Sequence, residues 1–244
     1  MILKTVSLTK YFGGLKATDS VNFAVQEGEI RSIIGPNGAG KTTFFNLLTG
    51  YLKPNTGKIF FRGEDITDLP QYLICRKGIV KSFQITSIFP KLTVFENVRL
   101  AAQMRKTTYS FWKKAEDLED VNDRVVQILE EIKLTEEKDS LATNLSYGLS
   151  RHLEIAISLA TDPEILLLDE PTAGMNPEET QNTMHLIKKL KKDLTIILVE
   201  HDMKVVMGIS DLISVLHNGK ILVEGSPDEI RNNNEVQRVY LGGR

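Results

Sequence analysis

The stretch Gly35-Pro36-Asn37-Gly38-Ala39-Gly40-Lys41-Thr42 constrains this chain more than any other eight residues in it. Its spacing, G-x-x-x-x-G-K-[ST], is that of a P-loop, and its surroundings suit the mechanism of such a loop. Ile30 to Ile34 reads as a buried strand leading in, and Lys41 to Thr49 as a helix leading out, with Phe44, Leu47 and Leu48 on one face and Gly50 to end it. Glycines allow backbone N–H groups to turn inward on phosphate oxygens, and the helix N-terminus adds its positive dipole. Lys41 can then reach the terminal phosphates, and the Thr42 hydroxyl can ligate Mg2+. Gly35, Asn37, Gly38, Ala39, Gly40, Lys41, Thr42 and Thr43 are therefore the candidate nucleotide-binding residues.

The chain around this loop alternates strands and helices. Val21, Phe23 and Val25 are apolar at period two, Lys58 to Arg62 reads as a further strand, and Gly78 to Phe83 as another that ends at Gln84. The period then changes. Thr93-Val94-Phe95-Glu96 is a capping box opening a helix, and Val125, Ile128, Leu129 and Ile132 recur at helical spacing, so residues 85–149 are expected to form a helical insertion. Trp112 beside Phe111 sits in its charged middle. Past it come a helix at Leu149 to Ala160, strand Ile165 to Leu168, helix Thr180 to Lys192, and strands Thr195 to Val199 and Leu212 to Leu216. Asn218-Gly219 then turns the chain into a hairpin strand, Ile221 to Glu224, and Ser226-Pro227-Asp228-Glu229 caps a C-terminal helix. Such alternation implies an α/β fold with a parallel sheet between helices. The expected core is residues 1–84 and 150–244.

At 244 residues the chain can form one large domain or two closely packed ones. With 30 basic against 32 acidic side chains it has no global positive field for nucleic acid, so none is expected as a partner. Cys75 is the only cysteine and has no intrachain disulfide partner. The N-terminus lacks the pattern of a signal peptide, and apolar runs such as Ile165 to Leu168 are far shorter than the roughly 18 residues of a spanning helix, so a cytosolic chain is expected.

A nucleotide site needs a carboxylate at the end of a hydrophobic strand, and Ile165-Leu166-Leu167-Leu168-Asp169-Glu170 supplies two. Asp169 is read as holding the Mg2+ shell, commonly through water, and Glu170 as facing the γ-phosphate to polarise the attacking water. Gln84, at the border of the insertion, can reach the metal or that water. His201 lies just past the strand Thr195 to Val199, at the sheet edge where ligands of open α/β folds collect. The catalytic candidates are Glu170, His201 and Gln84, and the metal candidates Thr42, Gln84 and Asp169.

Leu145-Ser146-Tyr147-Gly148-Leu149, shortly before Asp169-Glu170, resembles the signature motif of ATP-binding cassette (ABC) ATPases, and all the motifs stand in that family's order over nearly the whole chain. Phe12-Gly13-Gly14-Leu15-Lys16-Ala17, Ala173-Gly174-Met175-Asn176-Pro177, Glu200-His201-Asp202-Met203-Lys204 and Val239-Tyr240-Leu241-Gly242 resemble the ATPases of branched-chain amino-acid importers. Lipopolysaccharide-export ATPases look similar over parts of this pattern and form the alternative; Gly208-Ile209-Ser210-Asp211 favours the importers.

The resemblance implies a P-loop NTPase of ABC type with a mixed or parallel sheet core, an N-terminal antiparallel β subdomain and the helical insertion. It implies ATP and Mg2+ as ligands, and Phe12, with Tyr11 as the second candidate, stacked on adenine. It implies a head-to-tail dimer with an identical or sister ATPase, in which Ser146, Tyr147 and Gly148 of one copy close over the γ-phosphate held by the other. Its other implied partners are membrane permease subunits at the cytoplasmic face of the membrane, with a substrate-binding protein engaged only indirectly. Three residues depart from the general pattern: Tyr147 for a glycine, Leu149 for a glutamine and Asn176 for an aspartate.

Overall fold

The computed structural model describes residues 1–82, 88–106 and 116–241. The chain runs β1 (Leu3–Phe12), β2 (Leu15–Val25), β3 (Ile30–Ile34), α1 (Lys41–Leu48), β4 (Thr56–Phe61), β5 (Glu64–Asp65), α2 (Gln71–Lys77) and β6 (Ile79–Lys81). It continues with α3 (Val94–Lys106), α4 (Glu116–Glu131), a 3₁₀ turn at Ala142–Asn144, α5 (Tyr147–Leu159), β7 (Ile165–Asp169), α6 (Pro177–Leu190) and β8 (Thr195–Val199). It ends with α7 (Met203–Ile209), β9 (Leu212–His217), β10 (Lys220–Gly225), α8 (Pro227–Arg231) and α9 (Asn234–Leu241).

Two sheets form. The first is antiparallel, in the order β2-β1-β4-β5, and lies wholly in the N-terminal part of the chain. The second is mixed, in the order β10-β9-β3-β8-β7-β6; all its pairs are parallel except the hairpin β9–β10. At the hairpin tip Asn218 and Gly219 both have positive φ, 48° and 75°, as the tight turn requires.

Strands β7 and β8 are apolar at nearly every position because both their faces are covered. Ile165, Leu167, Ile197 and Val199 face a core shared with β1, β2 and α1, where Phe23 and Phe44 meet edge to face at 5.2 Å. Leu166, Leu168, Ile196 and Leu198 face the opposite way, into a core built with α3, α4, α5 and α6. The one-residue alternation thus binds the antiparallel sheet to one face of the central sheet and the helices to the other. Among the described residues no helix is long and apolar enough to cross a membrane.

Candidate functional site

Strands β3, β8 and β7 are neighbours and parallel, so the loops leaving their C-terminal ends emerge side by side. The register sets the alignment: Val199 pairs with Ile33 on one side and with Asp169 on the other. Gly35 to Thr42, Asp169-Glu170 and His201 are brought together by this pairing, though 158 residues separate Thr42 from His201.

The loop between β3 and α1 turns where glycine is needed. A Cβ on Gly35 or Gly40 would lie 2.1 Å from the carbonyl oxygen of Leu216 or Ala17 respectively, so the loop sits against backbone on its inner side. Gly38 has φ 79° and nothing within 4 Å of its Cβ position, so its outer side is open. Helix α1 begins without a side-chain cap and with no acid in its first turn, which leaves its first N–H groups directed at the cleft. That cleft, about 330 Å³, is lined by Phe12, Leu15, Lys16, Ala17, Asn37 to Thr43, Glu170 and Val199.

Lys41 folds back over the loop and donates to the carbonyls of Gly35 (2.6 Å) and Pro36 (3.0 Å). Burial holds its pKa below the usual lysine value, against the opposing pull of the Glu170 and Asp169 carboxylates. Phe12 stands at the mouth of the cleft, 47% exposed, with Lys10 Nζ 5.6 Å from its ring centroid. Tyr11 is also exposed, with Lys16 over its ring.

Asp169 is buried, and Lys81 Nζ lies 3.0 Å from its Oδ2. Lys81 also donates to Asn46 Oδ1 at 3.3 Å, which ties the end of β6 to α1. Glu170 has its backbone in the left-handed region, φ 50°, and His201 Nδ1 is 3.5 Å from its Oε1. Lys81 carries no mark in the sequence, and the buried Glu200 beside His201 entered only through the importer-like stretch Glu200 to Lys204, with no role at the site. Yet Glu200 carries the signal that marked Asp169-Glu170, an acid closing an apolar strand. Gln84 lies outside the described residues, as do Phe111 and Trp112.

Ser146, Tyr147 and Gly148 do not line the cleft. Ser146 caps α5, its Oγ accepting from the Leu149 N–H at 3.3 Å. Tyr147 is exposed, lies against Arg151, whose Nη2 donates to its hydroxyl at 3.1 Å, and faces Gly174, where a Cβ would meet the ring at 3.3 Å. Gly148 is buried against the Glu179 carboxylate. The two other departures have structural reasons. Leu149 packs against the helical core, and Asn176 caps α6 in a full capping box with Glu179, a task that asparagine performs as well as aspartate. Among the described residues no cluster of three His, Cys, Asp or Glu side chains could hold a metal on its own.

Residues 18–173 match the family model described as ABC transporter, and residues 220–244 match that of the branched-chain amino acid ATP-binding cassette transporter. The high-affinity branched-chain amino acid transport ATP-binding protein LivG of Escherichia coli (strain K12) is 45% identical, over 99% of this chain and 98% of the relative. The crystal structure of an ATP-binding cassette of an ABC transporter in its ADP conformation superposes with a TM-score of 0.87 at 33% identity, covering 99% of this chain and 98% of the other. A dimeric cassette in a post-hydrolysis state, bound to ADP and Pi, superposes with a TM-score of 0.79 at 28% identity, covering 93% and 99%.

Proposed function

The chain belongs to the ABC transporter family, and we propose that it is the ATP-hydrolysing subunit of an importer for branched-chain amino acids. The observation that carries this reading is a single cleft with an open phosphate loop, Gly35 to Thr42, on one side and Glu170 on the other, with His201 within reach of that acid. The match at residues 220–244 and the 45% identity to LivG support the importer branch over lipopolysaccharide export.

In this reading the triphosphate lies along the loop N–H groups, Lys41 contacts the β- and γ-phosphates, and Phe12 stacks on the base. Glu170 takes a proton from a water whose oxygen bonds to the γ-phosphorus. The bond from that phosphorus to the bridging oxygen breaks, and ADP leaves with the electron pair. His201 orients the γ-phosphate beside Glu170. The oxygen donors Thr42 and Asp169, with Gln84, suit Mg2+, which takes few protein ligands and completes its shell with phosphate and water. Such an ion neutralises charge on the phosphates.

The cleft is open beside Gly38, and Ser146, at the start of a helix N-terminus, offers a matching surface on a second copy or a sister ATPase. Residues 85–149 form the signature-bearing unit and the rest the nucleotide-binding core. Phe89, 57% exposed, supports the surface at Phe89 and Pro90 as the docking place for a permease, which keeps the subunit peripheral on the cytoplasmic face. The solute and its binding protein never touch it.

The test is a pull-down of tagged Glu170→Gln protein, held closed with ATP, from membranes of the source organism, followed by mass spectrometry. Two multi-span permease subunits and a second small ATPase are expected. An envelope-assembly complex would replace the importer reading, and soluble factors alone would remove transport from it.

A further inference from the structure

Glu200 is 1% exposed, and among the described residues no lysine or arginine is paired with it. Its carboxylate accepts from loop groups, and the His201 ring Nδ1 lies 3.9 Å from its Oε2. Oε1 takes the backbone N–H of Thr172 at 3.1 Å and a short bond from the Thr172 hydroxyl. Oε2 takes the backbone N–H groups of His201 at 2.9 Å and Asp202 at 3.3 Å. One oxygen thus serves the loop after β7 and the other the loop after β8. Burying a carboxylate without a lysine or arginine is costly unless its hydrogen bonds are all made, so an acid in this position calls for a reason beyond filling space.

That reason lies two residues before Thr172. Glu170 stands in the left-handed region, a conformation that is strained in a non-glycine residue and persists only where its surroundings over-determine it. The turn's own bonds, Ala173 N–H to Glu170 O (3.1 Å) and Met175 N–H to Thr172 O (3.2 Å), are local. The anchors from outside are two consecutive residues at the end of β8: Val199 O accepts the Glu170 N–H at 2.8 Å, and Glu200 grips Thr172. Pro171 is held between them. The same carboxylate also fixes the backbone of His201, whose ring faces Glu170.

We propose that Glu200 is a positioning residue that locks the left-handed turn carrying Glu170 to the loop carrying His201, so that acid and histidine keep one relative placement through the hydrolytic step. This rests on the reading of Glu170 as the hydrolytic base. Glu200 touches no substrate; it acts through Glu170 and His201. Glutamine in its place would turn an amide NH2 toward one of the two donor pairs, and aspartate would keep the charge with a shorter reach.

The experiment measures kcat and KM for ATP hydrolysis, and the affinity of a fluorescent ATP analogue, for the full chain and its Glu200→Gln, Glu200→Asp, Thr172→Val, Glu170→Gln and Glu170→Gln/Glu200→Gln variants. Expected for Glu200→Gln is a kcat at least about tenfold lower with analogue affinity unchanged, since a misplacement of ~1 Å at a reacting group can cost about 10²-fold. Glu200→Asp should recover part of that loss. In the Glu170→Gln background the second change should slow the residual rate no further, whereas a residue that merely supported the fold would lower both backgrounds alike. Thr172→Val, which preserves shape and removes one bond, should lower kcat in the same sense, and it decides the matter if Glu200→Gln fails to fold. Unchanged kcat in Glu200→Gln or in Thr172→Val, or equal losses in both backgrounds, would overturn the proposal. Full turnover in Glu170→Gln alone would instead remove the reading on which it rests.

Discussion

A methyl group added at Gly40 would lie 2.1 Å from the carbonyl oxygen of Ala17, on a residue with φ +102°, whereas one added at Gly38, φ +79°, would meet nothing within 4 Å. Gly40 therefore lets backbone pack on backbone beneath the loop, and Gly38 leaves space above it. Gly38→Ala should fold, losing about 1–2 kcal/mol for its left-handed conformation, and should lose affinity for ATP because its methyl enters the cleft. Gly40→Ala carries the same kind of strain and must also move the Ala17 backbone, so its melting temperature should fall further. Thermal melts with and without ATP separate the two; equal melting temperatures would contradict the packing argument. Glu170→Gln should retain ATP binding while hydrolysis slows by about 10²- to 10⁴-fold, the usual contribution of a positioned general base. Turnover at the wild-type rate would place the base elsewhere. Residues of this kind were legible because each is marked by its own neighbours: glycines at set spacing, or acids closing an apolar run. Glu200 has the same local mark, but its role depends on Thr172, 28 residues away, a pairing that only the β7–β8 register creates.

Strands bounded by turn residues were the most legible elements. Ile30 to Ile34 and Thr195 to Val199 have the limits expected from their apolar runs. The helix expected from Thr180 instead begins at Pro177, because Asn176 and Glu179 close a capping box with proline at the first turn. Its pattern, Asn-Pro-Glu-Glu, is the counterpart of Ser226-Pro227-Asp228-Glu229, which was read correctly and forms the same box at α8. Helices α2 and α7, seven residues each, and the two-residue β5 are too short for a period to emerge, so tertiary packing decides them. The cap at Asn176 has a measurable weight. Asn176→Ala should destabilise the fold by about 1 kcal/mol, which for a chain of this size corresponds to a melting temperature about 2–4 °C lower. Asn176→Asp should melt as the wild type does, because aspartate accepts from the Glu179 N–H equally well. A loss in Asn176→Asp equal to that in Asn176→Ala would show that capping is not what this residue supplies.

In the reading proposed above, one molecule holds both halves of an anion site without joining them. The phosphate loop and Glu170 share a cleft, while Ser146 stands at the start of α5, where Tyr147 is seated between Arg151 and Gly174 and Gly148 against Glu179. Those contacts tie the signature to the segment that follows Glu170 in its own chain, so it is not free to fold over its own cleft. In a head-to-tail pair of identical copies each composite site takes its phosphate loop from one copy and its signature from the other. The geometry makes a prediction that no single-copy site shares. Lys41→Ala removes the loop's contact with the terminal phosphates, and Ser146→Glu sets a negative charge against the γ-phosphate; each variant alone should hydrolyse no ATP. In a mixed dimer both defects fall in one site, and the other is assembled from an intact loop and an intact signature. Random pairing in an equal mixture makes half the dimers mixed, each with one of two sites intact, so about a quarter of the wild-type sites should return. ATP hydrolysis measured across mixing ratios should peak at the equal mixture and vanish at both ends. A flat, inactive profile from two variants that each fold would mean that the loop and the signature of different copies do not meet.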